Sequence, residues 1–170
     1  MKYAGIIKND TAAAPGISLT FFTQGCPHHC AECHNPETWD FNGGKEFSQS
    51  VMDEILEGLR KNGVKRSFCV MGGEPLCNEN LFLTLLVVRE VREKYVDTPI
   101  FLWTGYYFEE LQKSSNSKVA QILNMVDVLI DGPYEKANRD VTLKMRGSTN
   151  QSIIDMELSR KNNEKVLWQG

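Results

Sequence analysis

Residues 17–33 read ISLTFFTQGCPHHCAEC, and the fold is decided here. The first half, Ile17 to Thr23, is rich in β-branched and aromatic residues, the composition of a strand. Gly25 ends the run, and the loop that follows holds Cys26, Cys30 and Cys33. A strand that delivers chemically active side chains into the loop at its C-terminal end is the device by which parallel α/β folds build their sites.

Downstream, the same pattern recurs. Ser50, with Asp53 three residues on, opens a helix whose apolar face runs through Val51, Ile55 and Leu59 to the stop at Asn62-Gly63. Arg66 to Met71 is a second strand and runs straight into Gly72-Gly73-Glu74-Pro75. A long helix capped by Asn78 is expected through Tyr95, then a strand over Pro99–Thr104 and Gly105. A helix from Phe108 to about Met125 is weakened by Ser114-Ser115-Asn116, and a fourth strand, Val126–Ile130, ends at Asp131-Gly132-Pro133. The last forty residues are polar, with at most a short strand near Val166–Trp168.

Strands alternating with helices predict parallel βαβ units. A closed eight-fold barrel takes roughly 250 residues, whereas this chain has 170. The expected fold is therefore α/β, a partial, side-open (β/α) barrel with about four to six parallel strands. It forms one domain over residues 1–170, with a core at about 15–153 and a tail, 154–170, in which the sequence marks no more than that short strand. The net charge of −3 gives no general attraction to nucleic acid or anionic membranes. The N-terminus has no apolar signal segment, and the longest apolar run, Leu81–Val88, is too short to span a bilayer. Five cysteines, three of them bunched, speak for metal or redox chemistry in a reducing, cytoplasmic compartment rather than a disulfide framework.

Cys-x3-Cys-x2-Cys is one thiolate short of the four that usually hold a cubane iron–sulfur cluster. Three ligands leave one iron open to something that is not protein, and an open position marks a chemical site. Zinc is the competing reading, since His28, His29 and His34 lie in or beside the loop and would complete a Cys3His set. Gly72-Gly73-Glu74-Pro75 alone reads as a tight turn. Beside the cysteine loop it reads as a place where backbone approaches a ligand and Glu74 accepts from a ligand ammonium. Cys69 is a buried small hydrophobe and Cys77 pairs with nothing.

Taken together, the cysteine loop and Gly72–Pro75 resemble the radical S-adenosylmethionine enzymes. The match narrows with Cys33-His34-Asn35-Pro36-Glu37-Thr38-Trp39, Trp103-Thr104-Gly105-Tyr106, Val128–Pro133 and Arg146-Gly147-Ser148-Thr149-Asn150-Gln151. These segments are similar to those of the activating enzymes of anaerobic (class III) ribonucleoside-triphosphate reductases, in the same order and over about nine-tenths of the chain. The resemblance implies a 4Fe-4S cluster on Cys26, Cys30 and Cys33, which are both its metal ligands and the catalytic residues, with S-adenosylmethionine on the fourth iron. It further implies that Glu32, Cys33 and His34 border that cofactor and that Gly72, Gly73 and Glu74 hold its methionyl amine; Thr104 and Asp131, at two further strand ends, are expected in the same site. The implied reaction is reductive cleavage of S-adenosylmethionine to a 5′-deoxyadenosyl radical, which makes a glycyl radical on the large subunit of the reductase. A small redox donor such as flavodoxin or ferredoxin would supply the electron. Two other readings stay open: an activase of a different glycyl-radical enzyme, many of which add a cysteine-rich ferredoxin-like insert that this chain lacks, and a non-catalytic zinc module.

Overall fold

The computed structural model describes all residues, 1–170. Its frame is one seven-stranded sheet. In chain order the elements are β1 (Lys2–Asp10), β2 (Ser18–Thr23), β3 (Lys45–Glu46), α1 (Gln49–Arg60), β4 (Ser67–Gly72), α2 (Leu81–Lys94), β5 (Ile100–Trp103), α3 (Phe108–Gln112), α4 (Ser117–Met125), β6 (Val128–Asp131), β7 (Ser152–Asp155) and α5 (Met156–Asn162). The spatial order is β3-β1-β2-β4-β5-β6-β7. The four central strands pair in parallel, with Phe21 opposite Val70, Cys69 opposite Phe101 and Leu102 opposite Leu129. They are the four strands expected from sequence, and the sheet is mixed rather than wholly parallel.

The flanks depart from expectation. β1 pairs antiparallel with β2, β3 with β1, and β7 with β6. β1 escapes a periodicity reading because Tyr3 is its sole buried side chain, so no alternating apolar face is written in its sequence. The tail also has structure. Asp155 caps α5 by accepting from the Leu158 N–H, and Asn163 ends it in the left-handed region at φ 54°. Beyond it, Leu167 bridges Ile154 where a short strand was expected.

Both faces of the parallel strands are covered, as buried parallel strands require. One face packs against α1, α2 and α4 in the main core, with Leu19, Phe21, Ile55, Leu59, Phe68, Val87, Ile122 and Leu129. The amphipathic stripe of α1 is the expected one, but the helix begins two residues early, after Ser48. Ser50 instead shares a hydrogen bond of 2.8 Å with the Ser48 hydroxyl. The expected helix over 108–125 is broken where Ser114-Ser115-Asn116 sits, and Asn116 caps the second piece by accepting from the Lys118 N–H. The other face carries a smaller apolar group, Cys69, Phe101, Val128 and Ile130, covered by Ala13, Ala14 and the tail residue Trp168. No helix is long and apolar enough to cross a membrane.

Candidate functional site

A cavity of ≈ 500 Å³ opens at the C-terminal ends of the parallel strands. Four of its walls are the loops after β2, β4, β5 and β6, and Met145–Gly147 with Gln151 form another. It extends down the inner face past Met71 and Trp103 to Ala12, Ala13 and Asp10. Parallel strands end at the same level, so four loops far apart in sequence meet around one space.

Cys26, Cys30 and Cys33 all line this cavity. The loop bends through His29 and Glu32, both in the left-handed region at φ 50° and 57°, a conformation non-glycine residues seldom adopt. The Asn35 N–H donates to the Cys33 sulfur at 3.4 Å, and the backbone near Cys26 and Cys30 favours their thiolates. Burial nevertheless pushes the Cys26 and Cys30 thiols above their ordinary value. Metal charge must therefore offset desolvation for the loop to hold thiolates.

The donor set fits an iron–sulfur cluster. The sulfurs share one wall of a cavity with room for a further ligand, and N–H groups aimed at cluster sulfurs are a lever by which proteins stabilise reduced clusters. A single zinc ion fits less well. No three His, Cys, Asp or Glu side chains converge on one ion, whereas structural zinc needs four ligands around one centre. His28 hydrogen-bonds Glu74, and the His29 ring lies tilted against Trp39 at 4.8 Å.

Gly72 and Gly73 also line the cavity, and both places demand glycine. Gly72 has φ 105°, and a Cβ on Gly73 would lie 2.3 Å from the Gly25 carbonyl oxygen. The Glu74 N–H donates to that same carbonyl at 2.9 Å, as does the Asn80 side chain at 3.1 Å. The turn after β4 is thereby fastened to the residue before Cys26.

Glu74 is buried, and its carboxylate is fully engaged by the protein. Oε1 accepts from the Leu76 N–H and the Thr104 hydroxyl, both at 2.8 Å. Oε2 accepts from the Gly105 N–H at 2.6 Å and lies 2.9 Å from His28 Nε2. A carboxylate offers about four acceptor sites, so this one has no capacity left for a ligand ammonium. Its visible work is to join the two glycine turns.

Thr104 lines the cavity, with its hydroxyl committed to Glu74. Asp131 does not line it. Fully buried, Asp131 accepts from the N–H groups of Phe108 and Ser152 and from Lys165 Nζ, at 2.9, 3.0 and 2.8 Å. It lies outside the expected cofactor wall because these three donors, one from the tail, surround it. Glu32 likewise faces solvent, paired with Lys136, which holds its carboxyl below the usual range. Cys33 and His34 line the cavity as expected. Cys69 and Cys77 do not line the cavity, and burial pushes their thiols up to about 12.

Other contributors act through contacts that the sequence does not show. The helix expected after an Asn78 cap begins after Asn80 instead, whose amide bridges the carbonyls of Gly25 and Glu74. The Arg146–Gln151 segment docks on the turn after β6. The Gln151 side chain donates to the Gly132 carbonyl at 3.0 Å and that of Asn150 to the Pro133 carbonyl at 2.8 Å. Trp103 Nε1 donates to the Met145 carbonyl at 2.7 Å, pinning the same segment over the cavity. The segment was visible in sequence, but its partners were not.

Residues 12–154 match the family described as 4Fe-4S single cluster domain. Similar proteins include anaerobic ribonucleoside-triphosphate reductase-activating proteins. That of Vibrio cholerae serotype O1 is 35% identical over 154 residues, 90% of this chain and 97% of the relative. The Pasteurella multocida protein is 36% identical over 90% of this chain and 96% of its own length. The protein from Enterobacteria phage T4 is 34% identical over 90% and 93%.

Proposed function

Given that the chain belongs to the anaerobic ribonucleoside-triphosphate reductase-activating proteins and to the 4Fe-4S single cluster domain family, we propose that it is a radical S-adenosylmethionine activase that generates a glycyl radical on that reductase. The observation that carries this reading is the convergence, on one cavity, of three cysteines and two glycine turns from different strand ends.

Cys26, Cys30 and Cys33 would hold a 4Fe-4S cluster with one iron left for S-adenosylmethionine. The bound cluster and S-adenosylmethionine would supply one-electron cleavage of the C5′–S bond and abstraction of a hydrogen atom from a glycine Cα of the reductase. The protein's own contribution is orientation and exclusion of water. The backbone of Gly72 and Gly73, free of side chains, would receive the methionyl amine. Glu74 keeps that backbone in place through the Leu76, Thr104 and Gly105 contacts rather than binding the amine itself. Cys33 and His34 would border the cofactor, and Met71 and Trp103 offer apolar surface deeper in the cavity. The sheet's two edges, β3 and β7, are not paired with each other, which suits a side-open barrel that admits a glycine-bearing loop of a protein substrate. A small redox donor such as flavodoxin or ferredoxin would deliver the electron.

The test is an anaerobic electron-paramagnetic-resonance spectrum of the reconstituted, reduced protein with S-adenosylmethionine and the reductase. A glycyl-radical doublet that requires S-adenosylmethionine is expected. No doublet with 5′-deoxyadenosine still forming would keep the radical chemistry and overturn the partner. Neither signal, with an intact cluster, would overturn the activity.

A further inference from the structure

Between Cys26 and Asn35, side-chain hydrogen bonds tie the cysteine loop to distant segments at two points. One is the Glu32–Lys136 pair, whose side chains are 56% and 60% exposed and therefore screened and weak. The other is His28 to Glu74, with side chains 19% and 1% exposed. Glu74 already accepts from two backbone N–H groups and the Thr104 hydroxyl. A carboxylate has only acceptors to offer, so His28 Nε2 must be the donor.

The ring is also held sterically. It sits edge-on to Tyr106 at 4.7 Å, and a Cβ on Gly105 would come within 2.5 Å of it. The cysteine loop, the Gly72–Pro75 turn and the Thr104–Gly105 turn therefore meet at one carboxylate, and His28 is the loop's share of that junction.

We propose that His28 is a positioning residue that holds the cysteine loop in register with the Gly72–Pro75 and Thr104–Gly105 turns, on which binding of S-adenosylmethionine would depend. The inference rests on the functional reading above. A hydrogen bond to a buried carboxylate is strong and directional. Without it the loop keeps its three cysteines, and hence its cluster, but loses its register against the Gly72–Pro75 turn.

The experiment compares the wild-type protein with His28→Gln, which retains an amide N–H at a similar reach, and His28→Leu, which does not. Each is reconstituted anaerobically, its iron is counted, and S-adenosylmethionine binding is followed by equilibrium dialysis and by the change it causes in the reduced cluster's resonance spectrum. All three should carry wild-type iron. His28→Leu should bind S-adenosylmethionine about tenfold or more weakly with a diminished spectral change, and His28→Gln should recover most of both. Gly105→Ala, which crowds the ring while leaving the loop's sequence intact, should behave like His28→Leu and keeps the test decisive if a His28 variant folds poorly. Wild-type affinity in both His28→Leu and Gly105→Ala overturns the proposal, as does iron loss in His28→Leu or a Gln variant no better than Leu. If the wild-type cluster assembles but binds no S-adenosylmethionine, the functional reading itself fails and takes this inference with it.

Discussion

Cys26, Cys30 and Cys33 differ from Cys69 and Cys77 in what surrounds each sulfur. The first three line a cavity. The other two are enclosed by the core, where burial pushes both thiols from 9.0 up to about 12. Replacing any one of the three by Ala should abolish S-adenosylmethionine cleavage, measured as 5′-deoxyadenosine, whereas Cys69→Ser or Cys77→Ser should leave the iron content unchanged. The buried thiols also predict a pH dependence. Because the folded values are raised, the neutral thiol is the form that folding favours. Its stabilisation is complete below about 9 and lost as pH climbs towards 12. Melting temperatures should hold to about pH 9 and then fall, with a shallower fall in Cys69→Ser. The close spacing of the three cysteines was legible in the chain, since short-range spacing survives folding. The engagement of Glu74 was not, because its partners come from residues 28, 76, 104 and 105.

Among the elements, the junction of β2 and β4 matters most. Their parallel register brings Thr23 opposite Gly72, so Gly25 and Gly73 pass at backbone distance. Gly73→Ala should force the two loops apart, destabilise the fold by about 1–3 kcal/mol, and lower S-adenosylmethionine affinity, as denaturant titration and equilibrium dialysis would report. A glycine pair before Glu-Pro was readable as a tight turn. That its second glycine is required by the neighbouring loop, rather than by its own dihedrals, depends on strand pairing. The 108–125 segment teaches the converse. Ser114-Ser115-Asn116 weakens a helix in any context, and the helix breaks there.

For the molecule as a whole, the tail completes the sheet's far side. Trp168 packs edge-on against Phe101 at 5.9 Å, and Lys165 reaches Asp131 at 2.8 Å. Removing one partner of a buried charge contact leaves the other without compensation. Asp131 retains two N–H donors, so Lys165→Met should cost about 1–3 kcal/mol and lower the melting temperature by about 3–10 °C. Adding Asp131→Asn to that variant should lower the melting temperature further, because both carboxylate oxygens accept from backbone N–H groups and an amide NH2 would face one of them. If Lys165→Met melts with the wild type, the tail does not brace the sheet.

Local sequence was enough for the four parallel strands and the helical stripe of α1. Each rests on local composition or periodicity. Tertiary structure alone decided the antiparallel flanks β1, β3 and β7, the burial of Asp131 under Lys165, and the junction of His28, Thr104 and Gly105 at Glu74. The reason is physical: a strand with one buried side chain carries no period, and a carboxylate's role is set by whichever donors the packed chain brings within hydrogen-bond reach.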